Sequence, residues 1–187
     1  ANSDKSHILL SSEERHLAII NNNEIANSYS EKLLGVTIDC KLNFDDHLNE
    51  LCRKAGQKLH ALVRMSKYMN TSQKCIIMKA FITSQFGYCP LIWMFCSRAL
   101  NTRINKIHER ALRIVYKDYT SSFYDLLDKD NSVSIHVRNL QKLAIEIFKM
   151  KQDDSQEILK TIFKISENRY SLRRNTIFSS TNIRTEH

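Results

Sequence analysis

Arg103, Lys106, Arg110, Arg113 and Lys117 recur at i, i+3, i+7, i+10 and i+14. On a helix that spacing lines five cations along one face, about 20 Å long at roughly 1.5 Å per residue. Like charges so aligned repel one another unless an anion lies against them. A nucleic-acid backbone carries charge at a comparable interval and releases counterions on binding. The bland alternative is a solvated helix face. Arg53, Gln57, His60, Arg64 and Lys67 make a second polar and basic line, with Lys54 and Lys58 on a neighbouring face. Tyr68, Tyr88, Trp93, Tyr116 and Tyr119 could stack on bases or sugars, although most aromatics of a helical domain serve its core.

Phe44-Asp45-Asp46 is the one pair of carboxylates that suggests catalysis, because paired aspartates behind an aromatic hold divalent ions in polymerases. That arrangement belongs on a hairpin, whereas here the pair opens a helical pattern. The expected role is capping, with Asn43 as N-cap and both acids in the first turn. Gly-rich phosphate loops, a nucleophile elbow, HExxH and paired CxxC motifs are absent from the sequence. Cys89, Cys96 and His108 match no compact zinc spacing. The residues assign no catalytic group and no metal ligand.

The elements that position these residues follow from composition and period. Three Gly and one Pro in 187 residues leave little material for tight turns, so most of the chain reads as helix. Net charge is +8, and segment 43–117 alone carries thirteen basic residues against four acids. The positive charge therefore belongs to one segment, which points to a polyanionic partner there. Residues 76–95 are the most apolar stretch, but Lys79, Ser84, Gln85 and Pro90 interrupt it, so no membrane span is expected. Five cysteines and no secretory leader pattern suggest reduced thiols inside the cell, nuclear or cytoplasmic. The chain opens without methionine on a strand-like pattern, as a piece of a longer protein would.

Short strands are expected at 7–12, 17–20 and 32–39, with a turn at Asn21-Asn22-Asn23 and Gly35 inside the last strand. Then the period changes to 3.6. Phe44, Leu48, Leu51, Cys52, Ala55, Leu59, Leu62 and Val63 predict a long amphipathic helix. Residues 73–86 predict a helix buried on all sides, and 99–116 a third helix on Leu100, Ile104, Ile107, Ala111, Leu112 and Val115. Shorter helices follow near 121–130, over 136–151, and from an Asp153-Asp154-Ser155 cap to 163; beyond 166 the polar chain has no period.

Four blocks in order carry a resemblance. They are Leu33-Leu34-Gly35-Val36-Thr37-Ile38-Asp39 with Lys41-Leu42-Asn43-Phe44 and His47; Lys79-Ala80-Phe81-Ile82 with Tyr88-Cys89-Pro90-Leu91-Ile92-Trp93; Ile107-His108-Glu109-Arg110-Ala111-Leu112-Arg113-Ile114-Val115; and Ser134-Ile135-His136-Val137-Arg138-Asn139-Leu140. Over residues 32–150 this resembles the C-terminal part of non-LTR (LINE-type) retrotransposon reverse transcriptases. The resemblance implies an α+β, mostly α chain: the end of a palm at 1–42, a basic thumb-like domain at 43–117, a post-thumb helical extension at 118–165 and a loose tail at 166–187. It also implies that Leu34 and Gly35 lie in the primer-grip region. Lys54, Lys58, Arg64, Arg103, Lys106, Arg110, Arg113 and Lys117 are the expected backbone contacts to RNA or an RNA–DNA hybrid. Fingers, most of the palm and the catalytic aspartates, with their Mg²⁺, would belong to the rest of the parent polymerase, so this chain alone is expected to be inactive. The competing expectation is a non-enzymatic helical module that docks a protein through 76–95.

Overall fold

The computed structural model describes residues 27–151 and the short strands at 8–9, 19–20 and 23–24. The fold is α+β and mostly helical. Its strands pair in twos: β1 (Ile8–Leu9) with β4 (Asn27–Ser28), β2 (Ile19–Ile20) with β3 (Asn23–Glu24), and β5 (Ser30–Leu33) with β6 (Val36–Asp39). The first pair is parallel and the other two antiparallel. Of the expected strands at 7–12 and 17–20 only these dipeptides are described, and Asn21 and Asn22 lie outside the described residues.

The strand expected across 32–39 is a hairpin instead. Leu33 pairs with Val36, so Leu34 and Gly35 are the two turn residues, at φ 49° and 87°. A two-residue connection between right-twisted strands needs positive φ at both positions, which glycine adopts freely. Gly35 was thus the signal of a turn, and Leu34 accepts a left-handed backbone to complete it.

Helix α1 runs from Asp45 to Met65. Asp45 and Asp46 occupy its first turn as expected, but Asn43 does not cap it. Phe44 precedes the helix in the left-handed region (φ 59°), and the capping carboxylate comes from Asp39 at the end of β6. Asp39 accepts from the N–H groups of Phe44 (2.7 Å), Lys41 (3.0 Å) and Asn43 (3.1 Å). Burial alone would raise its pKa, yet these three donors hold it below the ordinary carboxylate value. One side chain thus ends a strand and starts a helix.

Asn70 caps α2 (Thr71–Ile77) in a reciprocal box with Gln73. The backbone then widens into a π-helical turn at Met78–Ile82 and tightens into a 3-10 turn at Thr83–Gly87. This segment is not buried all round: Lys74, Met78, Ile82, Thr83 and Phe86 face inward, while Ile76 and Phe81 are 64% and 54% exposed. The reason is phase. An α-helix drifts about 40° every four residues, whereas a wider turn keeps Met78 above Ile82 and a 3-10 turn eclipses Thr83 with Phe86.

Pro90 opens the single-turn helix α3 (Pro90–Trp93), and Ser97 caps α4 (Arg98–Tyr116) through the Leu100 N–H. Leu100, Ile104, Ala111, Leu112 and Val115 of α4 join Leu48, Cys52, Ala55, Leu59 and Leu62 of α1 in one core with Met78, Ile82, Phe86 and Trp93. Each large aliphatic side chain so buried contributes about 1.5–3 kcal/mol. Helix α5 (Phe123–Lys129), capped by Ser122 and Asp125, adds Leu126 and Leu127. Helix α6 (Ile135–Lys151) begins with Ile135 in the same core.

Residues 1–139 form one compact unit and 140–187 a second. The helix expected over 153–163 and the polar tail lie outside the described residues. The five cysteines are unpaired thiols. No described helix is long and apolar enough to cross a membrane.

Candidate nucleic-acid interface

The cations of α4 lie opposite its core stripe. At about 100° per residue, Arg103, Lys106 and Arg110 sit roughly 100°, 160° and 120° from buried Ile104, all round the same side. All three are exposed. The other two members of the line are tied into the fold. Arg113 is half-buried, reaches Glu109 at 2.6 Å, and donates through Nη1 to the Asp118 carbonyl at 3.4 Å. Lys117 ends the helix in a left-handed C-cap (φ 54°), its N–H donating to the Arg113 carbonyl, and its side chain stays exposed. Five aligned cations therefore become three open ones, then a paired arginine and a terminal lysine.

Arg103 links this face to α1, donating through Nη1 to Asn49 Oδ1 at 2.8 Å. On the α1 wheel, Arg53, His60 and Arg64 fall about 40°, 20° and 60° from Asn49. Lys54 and Lys58 fall about 140° and 180° from it, on the other flank. The two basic lines meet along the flank bearing Arg53, His60 and Arg64. Lys54 instead contacts Glu50 at 3.4 Å, and Lys58 Nζ lies 6.0 Å from the Phe81 ring. Arg53 was absent from the expected contacts, although its place in the first basic line was visible. Glu50 stands beside it, bonded at 2.7 Å to both Nε and Nη2. The Arg53 hydrogen bond, against a small opposing effect of burial, holds the Glu50 carboxyl well below its ordinary pKa.

Leu34 and Gly35 sit at the hairpin tip, Leu34 83% exposed. Tyr88 holds the tip: its hydroxyl donates to the Leu34 carbonyl at 2.6 Å, and a Cβ on Gly35 would lie 3.7 Å from its ring. Trp93 Nε1 donates to the Tyr88 carbonyl at 3.2 Å. At the other end of the hairpin, the Thr37 N–H donates to His47 Nδ1 at 3.3 Å. Burial, then Lys54 and Lys32, lower the His47 pKa, which keeps Nδ1 free to accept. Tyr88, one of the aromatics weighed for stacking, acts as a strut.

Behind the interface lies a buried polar hub. Asp130 Oδ1 accepts from the Tyr116 hydroxyl (2.8 Å) and the Cys75 thiol (3.2 Å). Its Oδ2 makes no hydrogen bond, and its nearest cation is Lys79 Nζ at 3.4 Å. Burial opposes ionisation here, but the Tyr116 and Cys75 donors and Lys79 prevail and keep the pKa below the ordinary value. Arg138 donates to the Thr83 carbonyl at 3.1 Å. His108 packs edge-on against Phe123, with centroids 5.7 Å apart and no partner for Nδ1. Burial, with Arg138 nearby, lowers its pKa to about 4. No periodicity marks Asp130 as the centre of this group, because its partners come from three helices.

Asp45 and Asp46 are exposed in the first turn of α1. A cleft of about 360 Å³ beside them is lined by Leu42, Phe44, Asp45, Ile92, Trp93 and Phe95. Among the described residues no three His, Cys, Asp or Glu side chains come together to hold a metal ion. No family model, curated protein or solved structure matches the chain.

Proposed function

We propose that this chain binds the backbone of a nucleic acid, RNA or an RNA–DNA hybrid, through the outward face of α4 and the adjoining flank of α1. The observation that carries this reading is the trio Arg103, Lys106 and Arg110: exposed, aligned, opposite the core and joined to α1 through Asn49. Arg53 and Arg64 extend the contact surface, whereas Lys54 and Lys58 serve at most a second strand on the far flank. Arg113 and Lys117 shape the end of α4.

The C-terminal part of a retrotransposon reverse transcriptase remains the parent we favour. Support comes from the way the four resembling blocks touch: Leu34 with Tyr88, Thr37 with His47, Arg138 with Thr83, and Asp130 between Lys79 and Tyr116. In that reading the hairpin tip at Leu34 and Gly35 approaches the primer end. Mg²⁺-dependent synthesis belongs to the missing fingers and palm, and this chain grips without catalysing. Binding of an RNA–DNA hybrid by R103E/K106E/R110E tests the interface. At least a tenfold loss of affinity is expected, with the slope of log Kd against log salt reduced by about 2–3. Unchanged affinity or an unchanged slope would reject it.

One observation favours a second reading. Ile76, Phe81, Ile92 and Phe95 are 64%, 54%, 47% and 75% exposed, an apolar surface suited to a protein partner. The same triple variant distinguishes the two, since a protein-docking surface at 76–95 is indifferent to charge on α4.

A further inference from the structure

Helix α6 carries an apolar stripe that its own unit leaves uncovered. Leu140, Leu143, Ala144, Ile147 and Phe148 stand at i, i+3, i+4, i+7 and i+8, one face of a helix. Leu140 is 42% and Phe148 58% exposed, Ala144 is exposed, and Leu143 and Ile147 are half-buried. The stripe is about 12 Å long at roughly 1.5 Å per residue. It falls within the unit formed by residues 140–187.

The sequence just downstream complements it. Ile158, Ile162 and Ile165 recur at i, i+4 and i+7, behind the acids Asp153, Asp154 and Glu157. The last turn of α6 is basic, with Lys149 and Lys151. Three residues, 152–154, separate the end of α6 from Ser155, and so short a connection makes successive helices antiparallel neighbours. In that arrangement Ile158 comes level with Ile147 and Phe148, Ile162 with Leu143 and Ala144, and Ile165 with Leu140. The acids then stand beside the lysines.

We infer that segment 153–165 is the partner of this stripe: it folds back on α6 as an antiparallel helix and closes residues 140–165 into a helical hairpin. The inference is independent of nucleic-acid binding. A second copy of the chain docking on α6 is the competing occupant.

Hydrogen–deuterium exchange on the full chain tests it with reciprocal variants. In the wild-type monomer, amides of 157–163 should exchange about tenfold or more slowly relative to I147D. Ile162→Asp, which leaves α6 unaltered, should deprotect amides 144–148 to a similar degree. Far-UV circular dichroism and light scattering confirm that each variant remains folded and report its mass. Equal exchange of 157–163 in wild type and I147D would overturn the inference. So would protection that disappears on dilution of a dimer, which assigns the stripe to a second copy.

Discussion

The outer face of α4 and the hub around Asp130 use the same residue types to opposite ends. On the face, Arg103, Lys106 and Arg110 stand in water, so their mutual repulsion is screened and removing them costs the fold little. In the hub, a carboxylate whose side chain is 1% exposed holds a phenol, a thiol and an ammonium. There each unpaired group bears its full desolvation cost. Charge on the face is available to a partner, while charge in the hub is spent on joining α2, α4 and α5.

That contrast can be broken in order of expected effect. Asp130→Ala should destabilise the protein by about 3 kcal/mol or more, because it strands Tyr116 and Cys75 as well as removing Lys79's partner. Urea unfolding measures it, and affinity per folded molecule for an RNA–DNA hybrid should not change. A small stability loss would mean that the hub is solvated in the native state.

His108 gives the next largest effect. Its pKa falls from 6.5 to about 4 in the folded chain, so the unfolded state takes up the proton first as pH drops. Stability from this group is whole above pH 6.5 and declines between about 6.5 and 4, by about 3 kcal/mol in all. Urea midpoints across that window should slope steeply in wild type and less in His108→Leu. Equal slopes would show that the imidazole reaches water.

The triple reversal on α4 should do the converse, weakening binding at least tenfold while stability moves by no more than about 0.5 kcal/mol. The smallest expected effect belongs to Glu50→Gln. Freed from its carboxylate, Arg53 should tighten hybrid binding a few-fold at low salt, with the gain fading near 1 M salt as screening sets in. Weaker binding would place Arg53 outside the interface.

The long helices were legible because their apolar residues repeat at 3.6 over many turns, and α1 and α4 end within two residues of where the pattern puts them. What escaped was set by contacts distant in sequence. Nothing local distinguishes Asp39, ten residues before the middle of α1's first turns, as the capping acid in place of Asn43. Gly35 read equally as strand or turn until Leu33 was seen to pair with Val36. Residues 73–86 looked apolar all round because a single period was assumed across three helical pitches. The basic line on α4 was visible as a spacing. That Arg113 folds onto Glu109, and that Arg103 chooses one flank of α1, depends on neighbours a wheel does not contain.

The π turn at Met78–Ile82 gives this segment an unusual sensitivity to chain length. It absorbs the phase mismatch between the row ending at Met78 and the row beginning at Ile82, so side-chain identity within it can drift while the residue count cannot. Loss of one position would restore regular pitch and rotate everything beyond it by about 100°. Phe86 would leave the core and Tyr88 would swing away from the Leu34 carbonyl. Natural variants of this chain should therefore tolerate substitution at exposed Ala80 and Phe81 far more readily than insertion or deletion anywhere between Ile77 and Tyr88.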